Sequence, residues 1–120
     1  MSNNNVHWIL ELDINDGKSD DFKALMAEMV DATQANEPGA MNYEWFISGD
    51  GKHCHIYERY SDSAATMVHL GNFGAKFAER FLDMVSPTGL TVYGDPSAEA
   101  RAALAGLGAV HMEQIGGFAR

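Results

Sequence analysis

The sequence predicts an α+β fold: an antiparallel sheet with two helices on one face, in the order β-α-β-β-α-β. Three observations carry that prediction. Hydrophobic residues recur every second position over Val6–Ile14. The period changes to helical spacing from Ser19 and again beyond Asp62. Between the two helical stretches lies a pair of strand-like runs joined by "GDGK", a tight hairpin signal.

Taken in order, "VHWILELDI" sets Val6, Trp8, Leu10, Leu12 and Ile14 on one face and His7, Ile9, Glu11 and Asp13 on the other. "NDGKS" supplies turn residues. Phe22, Leu25, Met26, Met29, Val30 and Thr33 then share one helical face, with Ser19 as the expected cap and Asp20 and Asp21 near the positive helix end. "NEPG" stops this helix, because Pro38 cannot continue the ladder and Gly39 permits a reversal. Residues 40–48 and 53–60 are the hairpin strands. Asp62 or Ser63 caps the second helix, which Gly71 and Gly74 are expected to interrupt before it resumes with Phe73, Phe77 and Phe81, joined by Ala78, Leu82 and Val85. "SPTG" at 86–89 is read as its stop, and residues 90–94 as the fourth strand. An Ala-rich helix from Pro96 to about Leu104 and a last extended piece, "GAVHMEQIGGF", complete the chain.

This is the split βαβ arrangement called ferredoxin-like, with residues 1–120 as one domain, a core over 6–95 and an extension over 96–120. A sheet covered on one face leaves the other bare. That face carries Ile9, Phe46 and Tyr57, so sheet-to-sheet homodimerisation is expected, with the terminal strand pairing to an edge of its own or its partner's sheet.

Composition narrows function. Seventeen acidic residues against 8 basic ones give a net charge of −9, which argues against nucleic acid and against anionic membranes as partners. A single cysteine, Cys54, fits a reducing compartment. No apolar run approaches the roughly 20 residues of a membrane span, and "MSNNNV" lacks the features of a secretion signal, so a cytoplasmic location is expected.

"EPGAMNYEWFISGDGKHCHIYERYSDSAATMVHL" resembles the antibiotic biosynthesis monooxygenase superfamily, in particular its small quinol monooxygenases, which are dimeric α/β barrels. The shared elements are "EPG" after the first helix, Glu58 with an aromatic two residues on, and a histidine about nine residues beyond that. The resemblance implies oxygenation of an electron-rich hydroxylated aromatic, such as a quinol, naphthol or anthrone, in some members without metal or flavin and with the substrate supplying electrons to O2. A related branch degrades haem with a tryptophan on the third strand and a histidine on the second helix. Those positions match Tyr60 and His69, and the tyrosine departs from the haem pattern.

The chemistry to be sought is a base in a dry pocket. Glu58 shares strand parity with Cys54, Ile56 and Tyr60, so it points where apolar residues point, and His69 belongs to the helix that covers it. Glu58, His69 and Tyr60 are therefore the candidate catalytic residues, and Trp45 and Phe77 the candidate substrate walls. The plainer alternative makes them structural: Val68 is the obvious inward residue of its helix, His69 stands about 100° around the wheel from it, and Glu58 has Arg59 or Arg80 as potential ion-pair partners. That alternative describes a non-catalytic ligand-binding or stress-associated dimer. His53 and His55 share a strand face but lack further ligands, so no metal is expected. "GNFG" at 71–74 lacks the lysine of a phosphate loop, so no nucleotide is expected either. Met26, Met29 and Met67 sit at core spacing, and Cys54 reads as a small buried hydrophobe.

Overall fold

The computed structural model describes residues 4–120. The elements run β1 (Val6–Ile14), α1 (Ser19–Asn36), β2 (Ala40–Ile47), β3 (His53–Tyr60), α2 (Ser63–Lys76), α3 (Ala78–Met84), β4 (Val85–Gly94), α4 (Ala98–Ala105) and β5 (Val110–Met112). They form the α+β, ferredoxin-like arrangement the hydrophobic periods indicate. The sheet order is β2-β3-β1-β4-β5. β1 is central, antiparallel to both β3 and β4, and β2 pairs antiparallel with β3. β5 joins the chain's own sheet, parallel to β4. A parallel neighbour needs a crossover, and α4 supplies it.

Strand register determines which side chains stand side by side. Tyr43 lies opposite Glu58, Glu58 opposite Trp8, and Trp8 opposite Val92, giving one row across four strands. In the adjacent row Tyr60 faces Val6 and Ala40. Two apolar clusters lie between sheet and helices. One gathers Leu12, Phe22, Leu25, Met29, Ile56, Phe77 and Phe81. The other holds Val6, Trp8, Tyr60, Leu90, Val92 and Leu104. Each such side chain taken fully from water contributes about 1.5–3 kcal/mol.

Several boundaries differ from those the sequence predicts, each for a local reason. Ser19 is already helical. Lys18 occupies the cap position with no side-chain cap bond, and its carbonyl accepts from Phe22 N–H. Asp62 does cap α2, accepting from Ala65 N–H at 2.8 Å. Gly71 and Gly74 do not interrupt α2, since each costs only about 1 kcal/mol in a helix whose inner face is packed. The break comes at Phe77, between α2 and α3. Leu82 is exposed rather than part of the packed face. "SPTG" belongs to β4 rather than stopping a helix: Pro87 meets Leu12 where the β1–β4 register shifts, an irregularity that tolerates its missing N–H. Of the final extended piece only Val110–Met112 pairs as a strand.

The uncovered sheet face is more polar than Ile9, Phe46 and Tyr57 alone suggest. His53 Nδ1 meets Asp13 at 2.6 Å, His55 meets Glu11 at 3.3 Å, and Arg59 Nε donates to Asn5 Oδ1 at 2.7 Å. The strand parity is as expected, but its polar positions pair across strands and make the face mixed.

The turn from α1 into β2 depends on one close approach. A Cβ added at Gly39 would stand 2.5 Å from Ala65 Cβ and 3.2 Å from Ser61 Oγ. Glycine there lets the turn lie against the start of α2. Gly39→Ala is expected to cost about 1–3 kcal/mol in urea unfolding, and Ala65→Gly in the same chain to recover a large part of it. Additive costs for the two substitutions would show that this contact is not the source.

Candidate functional site

The row Tyr43–Glu58–Trp8 places a carboxylate in the middle of the helix-facing side of the sheet. Glu58 is 4% exposed and has three partners. Trp8 Nε1–H donates to its Oε2 at 2.8 Å, Tyr60 O–H donates to Oε1 at 2.7 Å, and His69 Nε2 lies 3.1 Å from Oε1. Neither arginine weighed from the sequence is a partner here: Arg80 forms a two-pronged pair with Glu28, and Arg59 binds Asn5.

His69 is buried, at 6% exposure, whereas Val68 is 52% exposed, the reverse of the expected facing. Thr66, His69, Leu70 and Phe73 form the inner stripe of α2 at the spacing of one helical face. The helix is turned so that imidazole, not valine, meets the sheet. The second ring nitrogen, Nδ1, lies 2.9 Å from Glu37 Oε1, and Asn72 Nδ2 donates to Glu37 Oε2 at 3.3 Å. The ring of His69 stacks at a tilt on Tyr60, centroids 4.9 Å apart, and meets Tyr43 edge-on at 5.2 Å. Tyr60 in turn packs on Trp8 at 5.0 Å.

The structure thus brings together Glu58, Tyr60 and His69, all three candidate catalytic residues, and adds Glu37, Trp8 and Asn72. Sequence reasoning used Glu37 in a helix stop and in the "EPG" element of the resemblance, and gave it no role at the site. Its one available signal was an acidic residue inside an "EPG" turn, next to a chain reversal. Trp45 packs on Tyr43 at 5.5 Å and on Phe22 and Phe81. Phe77 lies in the apolar cluster with Phe81. A groove of about 230 Å³ opens between α1 and the β2–β3 hairpin, lined by Phe22, Lys23, Met26, Trp45, Phe46, Ile47 and Cys54. Glu58 and His69 do not line it. Trp45, whose buried indole N–H has no hydrogen-bond partner, is the link, through Tyr43, between groove and network. Among the described residues no cluster of three metal-ligating side chains occurs, and no helix is long and apolar enough to cross a membrane.

Electrostatics set the protonation of this site. Burial alone would lower the pKa of His69, but the hydrogen bonds it donates to Glu37 and Glu58, and their charges, overcome it and raise the group from 6.5 to about 9. Burial likewise opposes ionisation of Glu37, yet His69 and Asn72 hold its carboxyl below the ordinary range. The phenols of Tyr43 and Tyr60 are pushed far upward, first by burial and then by the nearby carboxylate charge of Glu58. At neutral pH His69 is an imidazolium between two carboxylates.

Residues 5–85 match the family model described as antibiotic biosynthesis monooxygenase. The chain belongs to the antibiotic biosynthesis monooxygenase family. Among solved structures similar to this family member, MupZ from Pseudomonas fluorescens has 26% identity and a TM-score of 0.85, with 100% of this chain and 92% of that one covered. SnoaB from Streptomyces nogalater, a cofactor-independent oxygenase solved as a point variant, has 14% identity and a TM-score of 0.65, over 79% of this chain and 96% of that one. At that identity the likeness to SnoaB is one of fold. No curated relative matches the chain.

The raised pKa of His69 has a definite sign for stability. The folded value exceeds the unfolded one, so its contribution is complete below about pH 6.5 and is lost as pH rises through about 9. The melting temperature of the wild type relative to His69→Asn is therefore expected to shrink steadily between pH 6.5 and 9.5 in calorimetry. A difference that stays constant over that range would contradict the imidazolium assignment.

Proposed function

We propose that this family member is a cofactor-independent monooxygenase acting on a small hydroxylated aromatic, of quinol, naphthol or anthrone type, as a homodimer. The observation that carries the reading is the buried carboxylate–imidazolium network of Glu58 and His69, walled by Tyr60, Tyr43 and Trp8. It is joined through Trp45 to an apolar groove sized for a small ring. In this reading Trp45 furnishes the apolar wall for the substrate, and Phe77, which does not line the groove, backs that wall from the cluster it shares with Phe22 and Phe81. Glu58 is the proton acceptor, held by hydrogen bonds from Tyr60 and His69, and Trp45 and Tyr43 must turn aside for a ring in the groove to come within its reach.

The electron balance needs no external reductant. Oxidising a ring CH2 beside a phenol to a carbonyl releases four electrons, which one O2 consumes. One oxygen atom becomes the carbonyl oxygen and the other leaves as water. The protein's part is to accept the first proton, orient the ring and exclude water. A base positioned this way contributes roughly 10²–10⁴ in rate. Oxygen uptake above autoxidation is therefore expected with one or more anthrones, naphthols or quinols. Glu58→Gln should reduce it at least about tenfold. Uptake at the autoxidation rate for every substrate tried counts against the proposal.

One observation favours a second reading, a non-catalytic ligand-binding or stress-associated dimer. Glu58 and both nitrogens of His69 already have partners within the chain. Comparing Glu58→Gln and His69→Asn separates the two readings. Measured at a temperature where both variants are fully folded, uptake that falls well below wild type assigns chemistry, and uptake that stays near wild type while only melting temperature falls assigns structure.

A further inference from the structure

Glu37 stands just beyond the last turn of α1, where its N–H bonds Thr33 O and its carbonyl accepts from Ala40 N–H. The chain reverses there, yet the side chain is carried inward and is only 7% exposed. A carboxylate so deeply placed requires strong donors. The donors in hydrogen-bond contact are His69 Nδ1 at 2.9 Å and the Asn72 amide at 3.3 Å. Lys76, on the same face of α2, adds only its more distant charge.

Elementary proton counting then constrains His69. A neutral imidazole has one N–H and one lone pair. With Glu58 on Nε2 and Glu37 on Nδ1, either neutral tautomer would point a lone pair at a buried carboxylate. If Glu37 lost its charge, a neutral ring with its proton on Nε2 would satisfy Glu58. The same count applies to Glu58, but Glu58 also accepts from Trp8 and Tyr60, whereas Glu37 has besides His69 only the longer Asn72 contact, so Glu37 is the group that depends most on the second proton. The other titratable groups facing the ring, Tyr43 from β2 and Tyr60 from β3, are phenols whose ionisation is suppressed by burial and by Glu58.

We propose that Glu37 is the positioning residue of this site: it orients His69, holds it doubly protonated, and so anchors Glu58 in one fixed direction. Its consequence for oxygenation rests on the monooxygenase reading, since an anchored Glu58 is then the base; the protonation itself does not. Three elements meet in the arrangement. The turn after α1 brings Glu37, α2 brings His69 and Asn72, and β3 brings Glu58 and Tyr60. The Gly39 contact with Ala65 seats the first of these against the second.

The test reads His69 directly, by nitrogen-15 NMR of the imidazoles in the full chain, from pH 5.5 to 10. In the wild type both His69 nitrogens are expected to be protonated throughout the neutral range. In Glu37→Gln the titration midpoint should fall by at least about one pH unit, and the neutral form should carry its proton on Nε2. Signals of His7, His53 and His55 serve as internal controls of folding. Glu37→Asp, with a shorter reach, should give an intermediate midpoint, and it replaces Glu37→Gln if that variant does not fold. A wild-type His69 with one proton at pH 7, or variants whose His69 titrates as the wild type does, would overturn the proposal. Oxygen uptake measured in parallel keeps the two ideas apart. Uptake absent in the wild type sinks the monooxygenase reading and leaves the NMR result standing. Uptake present with an unmoved His69 midpoint sinks the role of Glu37 alone. If both hold, the alkaline limb of the uptake profile should shift to lower pH in Glu37→Gln.

Discussion

A single cation buried between two anions organises this molecule. Taking charges out of water costs on the order of several kcal/mol per ion, and the cost is offset only when geometry and hydrogen bonds are close to complete. Here they are. Glu58 has Trp8, Tyr60 and His69; Glu37 has His69 and Asn72; the imidazolium spends one N–H on each carboxylate. Removing any one partner leaves a charge exposed to hydrocarbon rather than to solvent. The strands, the second helix and the turn after the first must therefore be seated together, and each constrains the others.

The same requirement explains which parts of the architecture could be read from the residues alone. Strands and helices follow from local periodicity, so Val6–Ile14 and His53–Tyr60 are legible to the residue. Glu58 could be placed on the helix-facing side because alternation along a strand is strict. His69 is harder. Around a helix, hydrophobicity nominates Val68, and the long-range partners at Glu37 and Glu58 reverse that choice. Glu37 itself is illegible from local pattern, because its role depends on a residue 32 positions away. The continuity of α2 through Gly71 and Gly74, and the entry of Pro87 into β4, escape notice for a related reason: packing and a register shift outweigh weak local preferences.

Groove and network are neighbours rather than one space. Trp45 belongs to the groove wall and touches Tyr43, and Tyr43 touches His69. A ligand in the groove would sense the buried charge through two aromatic rings. The uncovered side of the sheet is organised differently, by cross-strand pairs such as His53 with Asp13 and His55 with Glu11. An interface made there would be a mosaic of apolar and ionic contacts rather than a second hydrophobic core, and such surfaces set orientation and register as much as they supply affinity.

Cys54 gives the groove one further property. It sits in the wall beside Trp45 and Ile47, 2% exposed, and burial lifts its thiol to about 11. Electrophiles react with thiolates and leave thiols largely alone. A sulfur kept protonated at neutral pH can therefore line the groove and stay inert toward an electrophile that enters it.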